Sequence, residues 1–258
     1  MTEPVRPARP HQRLTDDGRR MREVLSYSRR GGRLTPSQAA AWEQYAERWV
    51  IPDDAVDDPG FSLARWFGRQ APVIVEIGPG VGEATGVLAA ARPDLDVLAL
   101  EVWRPGVAAA LAEVAAAGAD NVRFCSVDAA WVLENLVAPD SLAGLWTFFP
   151  DPWPKKKHHK RRLVRPEFGA LAASRLRPGA HWRLATDWAD YSKQMQDVLG
   201  AVPLLVGGPV PRWTERPVTK FERKGLAAGR TITDLCYERR RAAPASPDAL
   251  GRLGAVEQ

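Results

Sequence analysis

The chain has 258 residues, 45% of them apolar, which suits one large α/β domain with a full core. Its 36 Lys and Arg against 31 Asp and Glu give a net charge of +5. No apolar run approaches the roughly 18 residues of a membrane span, and the N-terminus lacks the apolar stretch of a secretion signal. A soluble cytoplasmic chain with no membrane partner is therefore expected.

The positive charge is local. Residues 155–165 hold seven Lys and Arg and no acid, and residues 1–33 hold nine Arg against four acids; the remainder sums to −7. That distribution points to one polyanionic partner rather than to generic solubility. Cys125 and Cys236 lie far apart in apolar surroundings and read as reduced core residues, so they offer no metal site.

Residues 1–33 read as a basic arm, disordered over 1–12. The stretch around Ser26 to Arg33 is either a solvated tail or an arm that adds phosphate contacts or folds over a cofactor. A single domain is expected over residues 34–241. Thr35-Pro36-Ser37-Gln38 reads as a helix start, with Ala39 to Arg48 as the helix. Asp53 to Gly60 is an acidic linker and Phe61 to Gly68 a short helix. Five apolar runs follow, each leading into an acid: Pro72–Val75 into Glu76, Asp96–Leu100 into Glu101, Val122–Val127 into Asp128, Leu145–Phe149 into Asp151, and Trp182–Thr186 into Asp187.

Helical patterns lie between the runs, at Glu83–Ala91, Arg104–Ala117, Ala129–Leu136, Pro166–Leu176 and Trp188–Leu199. Alternation of this kind predicts a mostly parallel sheet with helices on both faces. In such sheets ligands bind outside the carboxyl ends of the strands, where all of these acids fall. After Ala201–Val206 come a Gly/Pro-rich crossing and the segment Thr219–Arg230. Thr231 to Tyr237 then alternates as a final antiparallel strand, and residues 242–258 read as a disordered tail.

Glu76-Ile77-Gly78-Pro79-Gly80-Val81-Gly82-Glu83 follows the first strand and opens a helix. Gly78, Gly80 and Gly82 allow a tight turn and close approach of a ligand. A dinucleotide fingerprint would place glycine where Glu83 stands, and a carboxylate at a helix start repels a pyrophosphate. The acids suit S-adenosyl-L-methionine, whose sulfonium and amino groups are cationic. Glu101, about twenty residues after the glycines, can accept from ribose hydroxyls, and would do so for NAD as well. Asp128-Ala129 can accept from an adenine amino group, or Asp128 can cap the following helix.

The most unusual stretch is FFPDPWPKKKHHKRR, Phe148 to Arg162. Prolines stiffen its first half, and Pro152 pushes Asp151 toward an extended backbone. Asp151 would face a nucleobase while the basic run grips phosphates. Trp153 can stack on the base or anchor the turn. A metal at His158 and His159 is disfavoured by the flanking cations.

Together these segments resemble the bacterial tRNA (guanine-N7-)-methyltransferase family over roughly Tyr27 to Glu238. The most specific part is FFPDPWPKKKHHKRRL at Phe148–Leu163, followed by Ala185-Thr186-Asp187-Trp188 and Thr219-Lys220-Phe221-Glu222-Arg223-Lys224-Gly225. The resemblance implies a class I methyltransferase, Rossmann-like fold with seven strands, and transfer of a methyl group to N7 of guanine 46 in the tRNA variable loop. It implies that Glu76, Glu101, Asp128 and Asp151 bind the cofactor, with Asp151 also the catalytic residue. Lys155, Asp187, Thr219, Lys220, Phe221 and Glu222 would contact the substrate. Lys157, His158, His159, Lys160, Arg161 and Arg162 would contact RNA. Pro79 departs from relatives that carry an aromatic residue there.

Guanine N7 has a lone pair and no proton, so its methylation requires positioning and electrostatics more than a base. Asp151 or Asp187 could accept from guanine N1–H and the exocyclic amine. A non-catalytic RNA-binding protein would explain the basic run but not the acids. An NAD-dependent oxidoreductase would explain the glycines but neither Glu83 nor the basic run. Composition alone leaves a methyltransferase with another substrate, and a monomer or a homodimer, open.

Overall fold

The structure, a computed structural model, describes residues 6–12, 25–27 and 31–241. The tail expected at 242–258 and most of the arm lie outside the described residues.

Helix α1 (Pro36–Trp49) begins where its sequence says. Thr35 accepts from Gln38 N–H at 3.3 Å, and Gln38 Oε1 accepts from Thr35 N–H at 2.9 Å. This reciprocal cap, with Pro36 at the first helical position, satisfies donors that a helix start leaves open. A two-residue strand β1 (Val50–Ile51) follows, and then α2 (Leu63–Phe67). The five apolar runs form β2 (Val73–Ile77), β3 (Asp96–Leu100), β4 (Val122–Cys125), β5 (Leu142–Phe148) and β6 (Leu176–Thr186). Helices α3 (Glu83–Ala90), α4 (Arg104–Ala116), α5 (Ala129–Asn135), α6 (Pro166–Arg175) and α7 (Ala189–Gly200) alternate with them. The chain closes with β7 (Leu205–Val210), α8 (Lys220–Ala227) and β8 (Thr233–Arg239).

The strand order is β1-β4-β3-β2-β5-β6-β8-β7. All ladders are parallel except those of β8, which runs antiparallel to both β6 and β7. The connections reverse direction between β2 and β5, and the carboxyl ends of these two strands therefore form the crevice of an open α/β sheet. Both sheet faces are buried, Val75, Leu98 and Leu145 in one core and Ile74, Val97 and Trp146 in the other. That double burial explains why the strands read as continuous apolar runs.

Three expectations change. The sheet has eight strands rather than seven, because Val50–Ile51 pairs with Phe124–Cys125. The Gly/Pro-rich crossing is itself the edge strand β7, where Pro209 removes no needed ladder donor. Residues 6–12 are docked rather than disordered. Arg9 is buried, donating to Asp53 O at 2.8 Å and pairing with Asp57 at 2.9 Å. Trp131 Nε1 donates to Pro7 O at 3.0 Å. The acidic linker is thus the partner of the arm, a long-range match of charges with no local signature.

Candidate active site

The crevice at the sheet's switch point opens into a cavity of about 290 Å³. One wall is the glycine turn after β2. Gly78 and Gly80 line it with φ of 70° and 61°, a left-handed backbone that glycine adopts without strain. Glu101, at the end of β3, accepts from Gly80 N–H at 3.0 Å and from Trp103 N–H at 2.8 Å. It thereby holds the turn in place while lining the cavity. Asp128 accepts from Trp131 N–H at 3.1 Å as the cap of α5, and it lines the cavity with Ala129. Ile77, Val81, Leu100, Val102 and Val127 supply an apolar lining.

Two residues assigned to the cofactor sit elsewhere. Gly82 is turned toward α4, where an added Cβ would lie 2.5 Å from Ala110 Cβ; it serves the packing of α3 on α4. Glu76 lies within β2 rather than after it, and is 2% exposed. It borders a small crevice behind the turn with Val81, Phe148 and Phe221. Burial pushes its carboxyl up to about 7 against the hydrogen bond from Thr85, 2.7 Å away, and the charge of Glu101 adds to the rise.

The opposite wall is the turn after β5. Phe149 and Trp153 take φ of 53° and 46°, unusual for side chains of this size. Asp151, between them, lines the cavity. Trp153 is the anchor of the turn: its Nε1 donates to Ser26 O at 3.1 Å, and the Arg161 guanidinium stacks 3.7 Å from its ring centroid. The basic run then forms a short 3-10 helix, Lys156–Arg161, with Lys155 at its N-cap. Lys155, Lys156, Lys157 and Lys160 are exposed, and His158 and His159 are half-buried. Lys155 lies outside the cavity lining.

The run divides in two. Arg161 donates to Leu25 O at 3.1 Å and Tyr27 O at 2.8 Å, so it holds the arm. Arg162 is 1% exposed and cannot meet RNA as expected. It donates to Pro152 O at 2.9 Å, Gln194 Oε1 at 2.8 Å and Asp190 Oδ2 at 2.6 Å, stitching the turn to α7.

The third wall is α8, capped by Thr219. Lys220 and Phe221 reach the cavity. Thr219 instead borders the crevice near Glu76. Glu222 is buried, accepting from Arg212 at 2.7 Å and Arg216 at 2.5 Å. Burial would raise its carboxyl, but these bonds and charges outweigh it and hold the group below the usual carboxylate range. Asp187 accepts from Arg230 Nε at 2.8 Å, under Gly225 of α8. Neither acid points into the cavity, so of Asp151 and Asp187 only Asp151 lines it.

The lining residues not foreseen as site residues include Ser26, Tyr27, Trp103 and Lys224. Ser26 and Tyr27 of the arm line the cavity, their carbonyls accepting from Trp153 Nε1 and Arg161, and Gly31 O accepts from Trp103 Nε1 at 3.1 Å. Only the possibility of an arm folding over the cofactor had pointed there. Among the described residues, no cluster of His, Cys, Asp and Glu is placed to hold a metal, and no helix is long and apolar enough to cross a membrane.

Residues 70–235 match the family described as "Putative methyltransferase". A tRNA (guanine-N(7)-)-methyltransferase of Nocardioides sp. is 70% identical over 239 residues, 93% of this chain and 96% of that one. The chain belongs to the bacterial tRNA (guanine-N7-)-methyltransferase family. The enzyme of that name from Cutibacterium acnes is 48% identical over 84% of each chain. The one from Paraburkholderia xenovorans is 46% identical over 85% of this chain and 84% of its own. Among solved structures, the 16S rRNA methyltransferase KamB aligns at 17% identity with a TM-score of 0.47, over 85% of this chain and all of that one.

The family uses S-adenosylmethionine, and the cavity suits it. Carboxylates of Glu101, Asp128 and Asp151 stand around an apolar lining, with glycine backbone on one side. Acids complement a cation and accept from ribose and adenine donors, whereas a pyrophosphate would meet repulsion.

Proposed function

We propose that this chain transfers a methyl group from S-adenosylmethionine to N7 of a guanine in tRNA, guanine 46 of the variable loop. The observation that carries this reading is one cavity lined on one side by Gly78, Gly80, Glu101 and Asp128 and on the other by Asp151, Lys220 and Phe221. The cofactor, when bound, supplies an electrophilic methyl group on a cationic sulfur.

Everything else falls to the chain's own residues. Glu101, Asp128 and Ala129 hold the nucleoside end. Asp151, stiffened by Pro150 and Pro152, orients the guanine by accepting from N1–H and the exocyclic amine. Adenine lacks that donor pair and would leave a carboxylate unpaired, at a cost of about 1–3 kcal/mol. Negative charge beside the ring also favours the cationic 7-methylguanine product. No proton leaves N7, so Asp151 acts by position and field, not as a base. The side chains of Lys155, Lys156, Lys157 and Lys160, beside the cavity, would bind phosphates, which gives affinity and salt dependence rather than sequence choice. A guanine inside folded RNA must swing out to reach Asp151.

Two tRNA transcripts, identical except for guanine or 7-deazaguanine at position 46, test the reading with labelled S-adenosylmethionine. Label is expected in the guanine transcript alone. Equal labelling of both would move the reaction to another atom. Binding of tRNA without labelling would leave an RNA-binding protein.

A further inference from the structure

Two elements approach the cavity from the substrate side: α8, with Phe221 and Lys224, and the turn after β5, with Asp151. Behind the cavity they meet at one buried cation. Arg216 is 0% exposed. Its Nη1 donates to Glu222 Oε2 at 2.5 Å, in the first turn of α8. Its Nη2 donates to both carboxylate oxygens of Asp234 on β8, at 3.0 and 3.2 Å. Its guanidinium carbon lies 5.5 Å from the Phe148 ring centroid and 5.2 Å from that of Phe149. These are the residues that open the turn, and Phe149 is the one in the left-handed region.

Arg212 completes the cluster from outside, its Nε 2.7 Å from Glu222 Oε1. Two arginines and two acids then balance, with Arg216, Glu222 and Asp234 withdrawn from water. Nε of Arg216 is buried without a hydrogen-bond partner among the described residues. The placement of Arg216 lets the flat guanidinium bridge two carboxylates while lying near two rings, which a lysine ammonium cannot do.

We propose that Arg216 is a positioning residue: by clamping Glu222 and Asp234 while resting against Phe148 and Phe149, it sets the separation between α8 and the turn that presents Asp151. This rests on the tRNA-methylation reading of the cavity. The hydrogen bonds of Glu101 to Gly80 and of Asp128 to Trp131 lie outside the cluster, so the nucleoside end of the cofactor site does not depend on it directly.

The full-length Arg216→Lys variant tests the proposal, with Asp234→Asn as a second variant that keeps the Arg216–Glu222 pair. Steady-state methylation of a tRNA transcript, calorimetric S-adenosylmethionine binding and thermal unfolding are measured on each. Arg216→Lys is expected to keep measurable S-adenosylmethionine binding through Glu101 and Asp128, whose hydrogen bonds lie outside the cluster. Its kcat, counted per cofactor-binding molecule, should fall by about 10- to 100-fold, the range that a small misplacement of reacting groups produces. An unchanged kcat per binding-competent molecule, whatever the loss of Tm, would show a merely structural role and overturn the proposal. Should Arg216→Lys fail to fold, the kcat of Asp234→Asn decides by the same criterion. Failure of the wild type to methylate tRNA would instead overturn the assignment of the reaction.

Discussion

Glu76 is a carboxyl group whose cost to the fold can be worked out and removed. It is 2% exposed and accepts a hydrogen bond from the Thr85 hydroxyl. Burial raises its carboxyl from an ordinary 4.5 to about 7. Below pH 4.5 the group is protonated in folded and unfolded chains alike, and it contributes nothing. Between 4.5 and about 7 the folded chain binds a proton that the unfolded chain has released, so stability falls as pH rises. Above about pH 7 the full cost is present, on the order of 3 kcal/mol. Glu76→Gln removes that charge, keeps the shape and leaves an oxygen for Thr85. The ligand-free variant should therefore be more stable than the wild type at pH 8 and nearly equal to it at pH 5. Each kcal/mol is worth about 2–4 °C in a chain of this size, so thermal unfolding at the two pH values can read the difference. Equal Tm shifts at pH 5 and pH 8, or a lower Tm at pH 8, would show that Glu76 is not held as a buried, costly charge.

Asp151→Ala should abolish tRNA methylation while leaving tRNA affinity within about threefold, since phosphate contacts dominate binding; near-normal turnover would remove Asp151 from the mechanism. Lys156→Ala with Lys157→Ala should weaken binding to all tRNAs alike and flatten the dependence of log affinity on log salt by about 1.5 units; a loss confined to one tRNA sequence would mean that these lysines read bases. Arg162→Ala should lower stability by roughly 2–4 kcal/mol by breaking buried bonds to Pro152 and Gln194, measured by denaturant unfolding. Its salt dependence of tRNA binding should match the wild type, and a reduced slope would return Arg162 to the RNA face.

The parallel sheet was legible because strands buried on both faces must be apolar throughout, and a crossover helix must separate each pair. The acids at the strand ends were legible for the same reason: a charge cannot continue such a strand. Glu76 shows the limit of that rule. It reads as a strand end yet lies inside β2, because Thr85 in the first turn of α3 offers it a partner. β7 was missed because Gly207-Gly208-Pro209 has no strand propensity, and only β8 on its one paired side makes it a strand. The docking of residues 6–12 was missed because Arg9 finds its partners at Asp53 and Asp57, more than forty positions away. Charge composition marks both segments as polar and says nothing of their meeting.

The basic run shows why a motif need not have one function. Its residues share a sign of charge but differ in reach. The exposed lysines at 155, 156, 157 and 160 end in compact, strongly hydrated ammonium groups, suited to a phosphate surface that arrives from solvent. Arg161 and Arg162 carry planar, weakly hydrated forks, suited to burial. Arg161 uses its fork on the carbonyls of Leu25 and Tyr27 and its face on Trp153. Arg162 uses its fork on Pro152, Gln194 and Asp190. Both therefore brace the segment that presents Asp151, one from the arm and one from α7. The division between Lys and Arg along the run is a division between exposed cations and cations bound within the fold. A substitution of Arg by Lys here would cost the fold its brace while leaving the net charge toward tRNA unchanged.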